Sequence, residues 1–413
     1  MANKLVSVQI PFCTMISISS VQDAHIRIRD HVIHTPLISS DTLSTLFEAE
    51  VFLKLETLQR GGSFKVRGAM NKILSHTEDI RDAGVVAASA GNHAQGVAIA
   101  AKRAGIPAVI VMPAWSSLSK QEATRGYGAE VILCGQTIEE SVQRAEDLSH
   151  DGRLFIHPFD DPDVIAGQGT IGLEIFADLA APDLIIVPVG GGGLIAGIAI
   201  AVKAFHPSCR IIGVQAGGCP SAGRALDQGE PVCVSAGWTL ADGIRVTRTG
   251  SVTFPVIRDL VDGIVNVTDD QIAAAILWLM ERKKVVSEGA GAAPLAALIS
   301  GLCPVTPGSR VVLIISGGNV DSHQVSRILG RALSIQGRTL TFSVIVDDQP
   351  GALARLLTLI GSEGGNILQI HHTPGDPNTP IQEIRVAIEL ETRGPDHVRS
   401  IRNRVESNGY RIV

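Results

Sequence analysis

The stretch Leu184-Ile185-Ile186-Val187-Pro188-Val189-Gly190-Gly191-Gly192-Gly193-Leu194 decides the fold. By hydropathy, residues 184–204 could pass for a membrane span. Pro188 and four consecutive glycines interrupt the run, which therefore reads as strand, loop and apolar helix. Glycines let backbone N–H groups close on an anion, and the start of a helix adds a favourable dipole. Tight strand-to-helix packing accounts for one or two of these glycines, not for all four. The segment lacks the lysine of a triphosphate loop, so a phosphomonoester is the better fit.

Similar runs recur on both sides: Gly84-Val85-Val86-Ala87-Ala88, Ala108-Val109-Ile110-Val111-Met112, Glu130-Val131-Ile132-Leu133, Ile211-Ile212-Gly213-Val214 and Val311-Val312-Leu313-Ile314-Ile315. Continuous apolar runs alternating with helical stretches indicate parallel sheets covered on both faces. They are too many for one small sheet, so two lobes with a cleft between them are expected. Ser19 or Ser20 is placed to cap a first helix carrying Val21, Ala24, Ile28 and Val32, stopped before Thr35-Pro36.

After about Leu333 the pattern changes. Ser334-Ile335-Gln336-Gly337-Arg338 reads as a linker. Beyond it Leu340, Phe342, Val344 and Val346 alternate as in a strand. A helix follows with Leu353, Leu356, Leu357 and Ile360 on one stripe, then a strand at 366–370 and another through Ile384, Val386, Ile388 and Leu390. A final helix carries Val398, Ile401 and Val405, and residues 410–413 form a last strand. The expected fold class is α/β, a two-lobed parallel-sheet body plus a small ferredoxin-like βαββαβ domain. The body spans 1–333, with the smaller lobe at roughly 55–157, and the small domain spans 338–413.

The 413 residues are 45% hydrophobic and 18% charged, the balance of a folded protein with a large core. A net charge of -6, no long basic run and only 4% aromatics argue against nucleic acid or an anionic membrane as partner. Cys13, Cys134, Cys209, Cys219, Cys233 and Cys303 are scattered, without zinc-site spacing, and suggest reduced thiols. The first twenty residues hold one lysine and a broken apolar stretch, too weak for a signal peptide. A soluble, cytoplasmic protein is expected.

Three strand-end turns could carry chemistry besides the glycine run. In Gln59-Arg60-Gly61-Gly62-Ser63-Phe64-Lys65, the lysine opens a helical segment. It is either a surface ammonium or an amine that forms an imine with a carbonyl cofactor in a partly dry pocket. Ser89-Ala90-Gly91-Asn92-His93 offers backbone donors for a carboxylate and an amide for a ring oxygen, or simply a helix cap. Ser316-Gly317-Gly318-Asn319 places a hydroxyl after the last strand of the body, where it could bond a heterocyclic nitrogen.

Together these residues resemble the fold-type II pyridoxal-phosphate enzymes, and most of all the threonine dehydratases (threonine/serine ammonia-lyases). The matching stretches are QRGGSFKVRGA, SAGNHAQG, IAGQGTIGLEI, VPVGGGGLIAG, LADGI, VSEGAGA and ISGGN, within about residues 20–333. The tail, with DDQPGALARLL and GGNI, resembles an ACT domain. The resemblance implies pyridoxal 5'-phosphate as cofactor and Lys65 as its Schiff-base lysine. Phe64 would lie beside the ring, Asn92 would bond its hydroxyl oxygen and Ser316 its nitrogen. Gly190, Gly191, Gly192, Gly193 and Leu194 would bind the phosphate, and Gly243 and Glu288 would line the site. Ser89, Ala90, Gly91, Asn92 and His93 would hold the substrate carboxylate.

The chain departs from family patterns in three places. Gly61 stands where relatives often carry Thr. Serine racemases of this fold carry a serine where this chain has Ala90, which favours elimination over racemisation. Relatives with a divalent cation site carry acidic residues where Gln215-Ala216-Gly217-Gly218 stands here, so no metal is expected. The implied reaction converts L-threonine to 2-oxobutanoate and ammonia, and L-serine to pyruvate, with Lys65 removing the α-proton. The alternatives are a serine racemase, a sulfhydrylase of the same fold, or a non-catalytic amino-acid sensor. The ACT-like tail implies a homodimer or homotetramer, with valine or isoleucine as effector at Asp347, Gly351, Ala352, Leu353, Asn366 and Ile367; a passive oligomerisation module is the other reading.

Overall fold

The computed structural model describes residues 16–373 and 380–413. Cys13 and most of the segment weighed as a leader lie outside them. Fourteen strands are described: β1 (Leu37–Ser39), β2 (Glu50–Leu55), β3 (Val85–Ala88), β4 (Ala108–Met112), β5 (Glu130–Leu133), β6 (Leu154–Phe155), β7 (Leu184–Pro188), β8 (Arg210–Ala216), β9 (Gly263–Val267), β10 (Arg310–Ile315), β11 (Thr339–Asp347), β12 (Asn366–Thr373), β13 (Glu383–Glu391) and β14 (Arg411–Ile412).

They form three sheets. The first runs β1-β2-β10-β7-β8-β9 and is parallel except for the edge strand β1. The second, β5-β4-β3-β6, is parallel throughout. The third, β12-β13-β11-β14, is antiparallel. Every strand expected from an apolar run is present. The sequence pattern missed β1, β6 and β9, which are two to five residues long and lie at sheet edges, where burial imposes little pattern.

β10 lies between β2 and β7, although it is far from both in the chain. This placement sets the carboxyl ends of the parallel neighbours β2, β10 and β7 side by side. Ligands of open parallel sheets bind at the carboxyl ends of the strands, and the Lys65, glycine and Ser316 turns all follow these three.

The chain divides into two compact units, residues 1–275 with 279–320, and residues 276–278 with 321–413. The first unit holds both parallel sheets. Ile110 of its smaller sheet packs with Val66, Met70, Ile73 and Val97 from the helices, and Val312 of its larger sheet with Ile171, Ile195 and Ile198. The second unit holds the antiparallel sheet, with Leu340, Phe342, Val344 and Val346 buried on one face against Leu356, Ile360, Ile401 and Val405. The helix Ser322–Ile335 belongs to this unit, so Ser334 and Ile335 of the expected linker are helical.

One local expectation is corrected. The first helix is Ile18–Ile28 and is capped by Ser17, not by Ser19 or Ser20. Ser17 has the extended backbone a cap needs, and Ser20 returns the bond from the third helical position, completing a capping box. The apolar window is β7 followed by the helix Gly193–Phe205, and among the described residues no helix is long and apolar enough to cross a membrane. Cys134, Cys209, Cys219, Cys233 and Cys303 are free.

Candidate active site

Lys65 is the first residue of the helix Lys65–Ser75, and the loop before it is fastened to the loop after β10. Phe64 N–H donates to the Ser316 carbonyl at 3.1 Å, Gly318 N–H donates to the Gly62 carbonyl at 2.9 Å, and Ser63 bridges Gly317. Gly61 and Gly62 both have left-handed backbones, with φ of 72° and 71°. That double turn, open to glycine at no steric cost, aims the lysine back into the cleft.

The Lys65 amine donates to the Pro158 carbonyl at 2.8 Å and lies 5.2 Å from the Phe64 ring centroid. Part of the side chain faces the cleft, but the amine end is enclosed. Burial lowers its pKa to about 8, against the opposing pull of Glu288. A lysine of this kind is neutral often enough near neutral pH to act as nucleophile and base. The surface-ammonium reading is therefore set aside.

The glycine turn is held from below. A Cβ on Gly191 would overlap the Phe159 ring, and one on Gly192 would sit 2.6 Å from Ile257. The Gly191 carbonyl accepts from Thr253 Oγ1 at 2.7 Å and from Gly250 N–H at 3.1 Å. Asp160 in turn accepts the N–H groups of Ser251, Val252 and Thr253 at the start of the helix Thr253–Leu260. Packing thus explains more of the glycines than expected, because each lacks room for a side chain. The N–H groups of the first turn of the helix Gly193–Phe205 remain available, the first backbone acceptance there being Ala196 N–H on the Gly192 carbonyl.

Gly91 caps the helix Asn92–Ala104, and its N–H donates to Ser89 Oγ at 3.1 Å. A Cβ on Gly91 would meet nothing within 4 Å, so this helix start opens onto free space. His93 points away from it. Its Nε2 bonds the Ile156 carbonyl at 2.8 Å, and burial together with Lys65 lowers its pKa to about 3. His93 is therefore a neutral structural residue whose backbone alone could serve a carboxylate. Asn92 Nδ2 donates to Glu288 Oε1 at 2.8 Å, and Asn319 Nδ2 donates to Asn92 Oδ1 at the same distance. Glu288 is 5% exposed, and burial raises its pKa to about 7. Gly243 lies beside this carboxyl, where a Cβ would stand 3.5 Å from Glu288 Oε1, and Gly317 gives the carboxyl its space, since a Cβ there would come within 2.5 Å of the same oxygen.

Sequence reasoning missed the support under Lys65. Arg67 is fully buried, with Nε and Nη2 on Glu56 at 2.9 and 2.8 Å and Nη1 and Nη2 on Glu174 at 2.6 and 2.8 Å. Lys54 Nζ adds a contact to Glu174 at 2.7 Å. Burial alone would raise the Glu174 pKa, but Arg67 and Lys54 overcome it and hold the carboxyl below its usual value. The signal in the sequence is Lys54, a charge set between Leu53 and Leu55 near the end of the strand.

In the second unit the residues expected to bind an effector fall into two groups. Asp347 ends β11, and Gly351, Ala352 and Leu353 start the helix Ala352–Ser362. Asn366 and Ile367 start β12. Asp347 pairs with Glu383 and Asn366 with Glu391, so the groups lie at opposite ends of β13 and one chain does not bring them together.

An enclosed lysine with a lowered pKa, a helix start with unused N–H groups behind a glycine turn, and an amide anchored by Glu288 and Asn319 are groups that suit a phosphorylated aldehyde of the pyridoxal kind. Residues 28–317 match the family described as pyridoxal-phosphate dependent enzyme. The chain is 44% identical over 399 residues to the L-threonine ammonia-lyase of Thermotoga maritima, covering 96% of this chain and 99% of that one. Among solved structures, a T.th. threonine deaminase is 41% identical with a TM-score of 0.69, over 74% of this chain and 99% of that chain. A serine racemase from Dictyostelium discoideum is 37% identical with a TM-score of 0.70, over 75% and 100%. The chain belongs to the pyridoxal-phosphate dependent enzymes, and within them to the threonine ammonia-lyases.

Proposed function

We propose that the protein converts L-threonine to 2-oxobutanoate and ammonia, and L-serine to pyruvate and ammonia. The observation that carries this reading is the Lys65 amine, enclosed, held by the Pro158 carbonyl and poised with a pKa of about 8. Pyridoxal phosphate, bound through Lys65, supplies the electron sink that makes the α-proton of an amino acid removable. The N–H groups of Gly190 to Leu194 would hold its phosphate, Phe64 would lie beside its ring, and the neutral Ser316 hydroxyl would bond its nitrogen. Asn92, with Gly243 and Glu288 beside it, would serve the ring oxygen.

The start of the helix Asn92–Ala104, with Ser89, Ala90 and Gly91, receives the substrate carboxylate on backbone donors. Lys65, freed as neutral amine when the substrate's own amine takes its place, would take the α-proton, and the β-hydroxyl would leave with a proton as water. The freed enamine then takes up water and gives the 2-oxo acid and ammonia, so the net change is loss of ammonia. Ala90 supplies no hydroxyl on the face opposite Lys65, which favours elimination over the racemase reading.

The test is direct. The holoenzyme should release 2-oxobutanoate from L-threonine, and Lys65→Ala should abolish both turnover and the borohydride-reducible cofactor bond. Normal turnover in that variant would end the assignment, and D-serine accumulating faster than pyruvate from L-serine would favour the racemase.

The second unit is read as an ACT-like regulatory domain that takes valine or isoleucine. Its two candidate patches lie at opposite ends of the sheet, so a complete site calls for two copies of the chain, in a homodimer or homotetramer. The scattered free cysteines support a cytoplasmic location.

A further inference from the structure

The amide of Asn92 has two possible orientations, which exchange its oxygen and its nitrogen. The hydrogen bonds around it choose between them. The Gly61 carbonyl can only accept, and Asn319 Nδ2 lies 2.7 Å from it, so the nitrogen of Asn319 is fixed on that side. The same nitrogen lies 2.8 Å from Asn92 and 3.2 Å from Gln95 Oε1. A nitrogen there can only donate, so the Asn92 atom facing it is the oxygen. The Asn92 nitrogen is left facing Glu288 Oε1 at 2.8 Å, which uses one of its two protons. The order Gly61 carbonyl, Asn319, Asn92, Glu288 therefore has a single direction. Gly62 allows it, because a Cβ there would sit 2.7 Å from Asn319 Oδ1.

We propose that Asn319 and Glu288 are positioning residues that lock the Asn92 carboxamide with its second N–H turned into the cofactor pocket, as a donor to the ring oxygen. The proposal rests on the site reading given above. A donor at that oxygen favours its ionised form over its protonated form, so the lock sets the colour of the bound cofactor as well as its affinity. Glu288 needs only an acceptor oxygen for this task. Glutamine provides one, which separates the lock from any role of the carboxyl's charge.

The experiment compares wild type, Asn319→Asp, Asn319→Ala and Glu288→Gln, each loaded with pyridoxal phosphate. It reads the cofactor dissociation constant and the visible absorbance of the bound cofactor across pH, with far-ultraviolet circular dichroism as the control for folding. Asn319→Asp keeps the shape but offers only acceptors, so the Asn92 amide turns over. Cofactor affinity should fall by about tenfold, the loss of roughly one well-placed hydrogen bond. The absorbance should shift toward the form with a protonated ring oxygen. Asn319→Ala, which adds no charge, should shift both in the same direction by less and serves where Asn319→Asp fails to fold. Glu288→Gln, which keeps an acceptor oxygen for Asn92, should lose less affinity than Asn319→Asp and shift the spectrum less. Unchanged affinity and spectrum in both Asn319 variants would overturn the proposal, as would a Glu288→Gln loss equal to that of Asn319→Asp. Neither readout needs substrate, so a failure of the threonine reading would show separately, as no 2-oxo acid from a wild-type enzyme whose spectrum still differs from the Asn319 variants.

Discussion

Replacing Arg67 with methionine tests the support beneath Lys65. Arg67 sits two residues after Lys65 and makes four contacts of 2.9 Å or less to Glu56 and Glu174, with no exposed surface. In Arg67→Met, Glu174 keeps Lys54 at 2.7 Å, but Glu56 keeps only the Thr35 hydroxyl at 2.6 Å. One buried carboxylate is thus left without a cation, a change that costs about 3–5 kcal/mol. At about 2 °C per kcal/mol for a unit of this size, the midpoint should fall by about 6–10 °C. A chain with two compact units need not unfold in one step, so the readout is the visible circular dichroism of the bound cofactor, at fixed cofactor concentration. Arg67→Met/Glu56→Gln, which removes the orphaned charge, should recover a large part of the loss. The difference from wild type should also narrow as pH falls. The Glu174 pKa is lowered by folding, so its contribution is present above the ordinary carboxylate range and disappears as the group protonates. A midpoint within about 2 °C of wild type at pH 7 would refute the reasoning, being far below the expected shift. A double variant no more stable than Arg67→Met would refute it too.

Gly191→Ala should raise the cofactor dissociation constant at least tenfold, because its Cβ overlaps Phe159 and displaces the phosphate turn; fluorescence titration of the apoprotein checks this. Turnover under saturating substrate should rise with pH through about 8, since the Lys65 amine must be neutral to take the proton, and a flat profile from pH 6 to 9 would contradict that role. His93→Gln should leave this pH profile in place while lowering the melting midpoint, because His93 is neutral and bonded to the Ile156 carbonyl. Valine or isoleucine should change the rate of the full chain, and the response should be lost in Asp347→Ala and in Asn366→Ala. A response that survives in both would place the effector elsewhere.

Much of the architecture was legible in one dimension. A strand buried on both faces must be apolar throughout, so β3, β4, β7, β8 and β10 stood out as Val/Ile runs, and β11 and β13 as alternation about one buried face. The two- and three-residue edge strands carried no such pattern. The sequence singled out candidates where chemistry restricts residue type, at Lys65, at the glycine turn and at Ser316. It was not legible where an ordinary residue serves through its position. Arg67, Glu56 and Glu174 are common residues whose role exists only because the fold closes around them. Asn319 was visible inside its turn, but nothing in the sequence tied it to Asn92 or to the Gly61 carbonyl.

The sequence by itself determined the buried strands and the order of turns, and singled out Lys65 as the candidate amine, because backbone freedom at glycine and burial at Val and Ile are local properties. Tertiary structure decided the pKa of Lys65, the orientation of Asn92, the structural fate of His93 and the separation of the two candidate effector patches. Each of these depends on what another part of the chain places within a few ångströms, and on how much water that placement excludes.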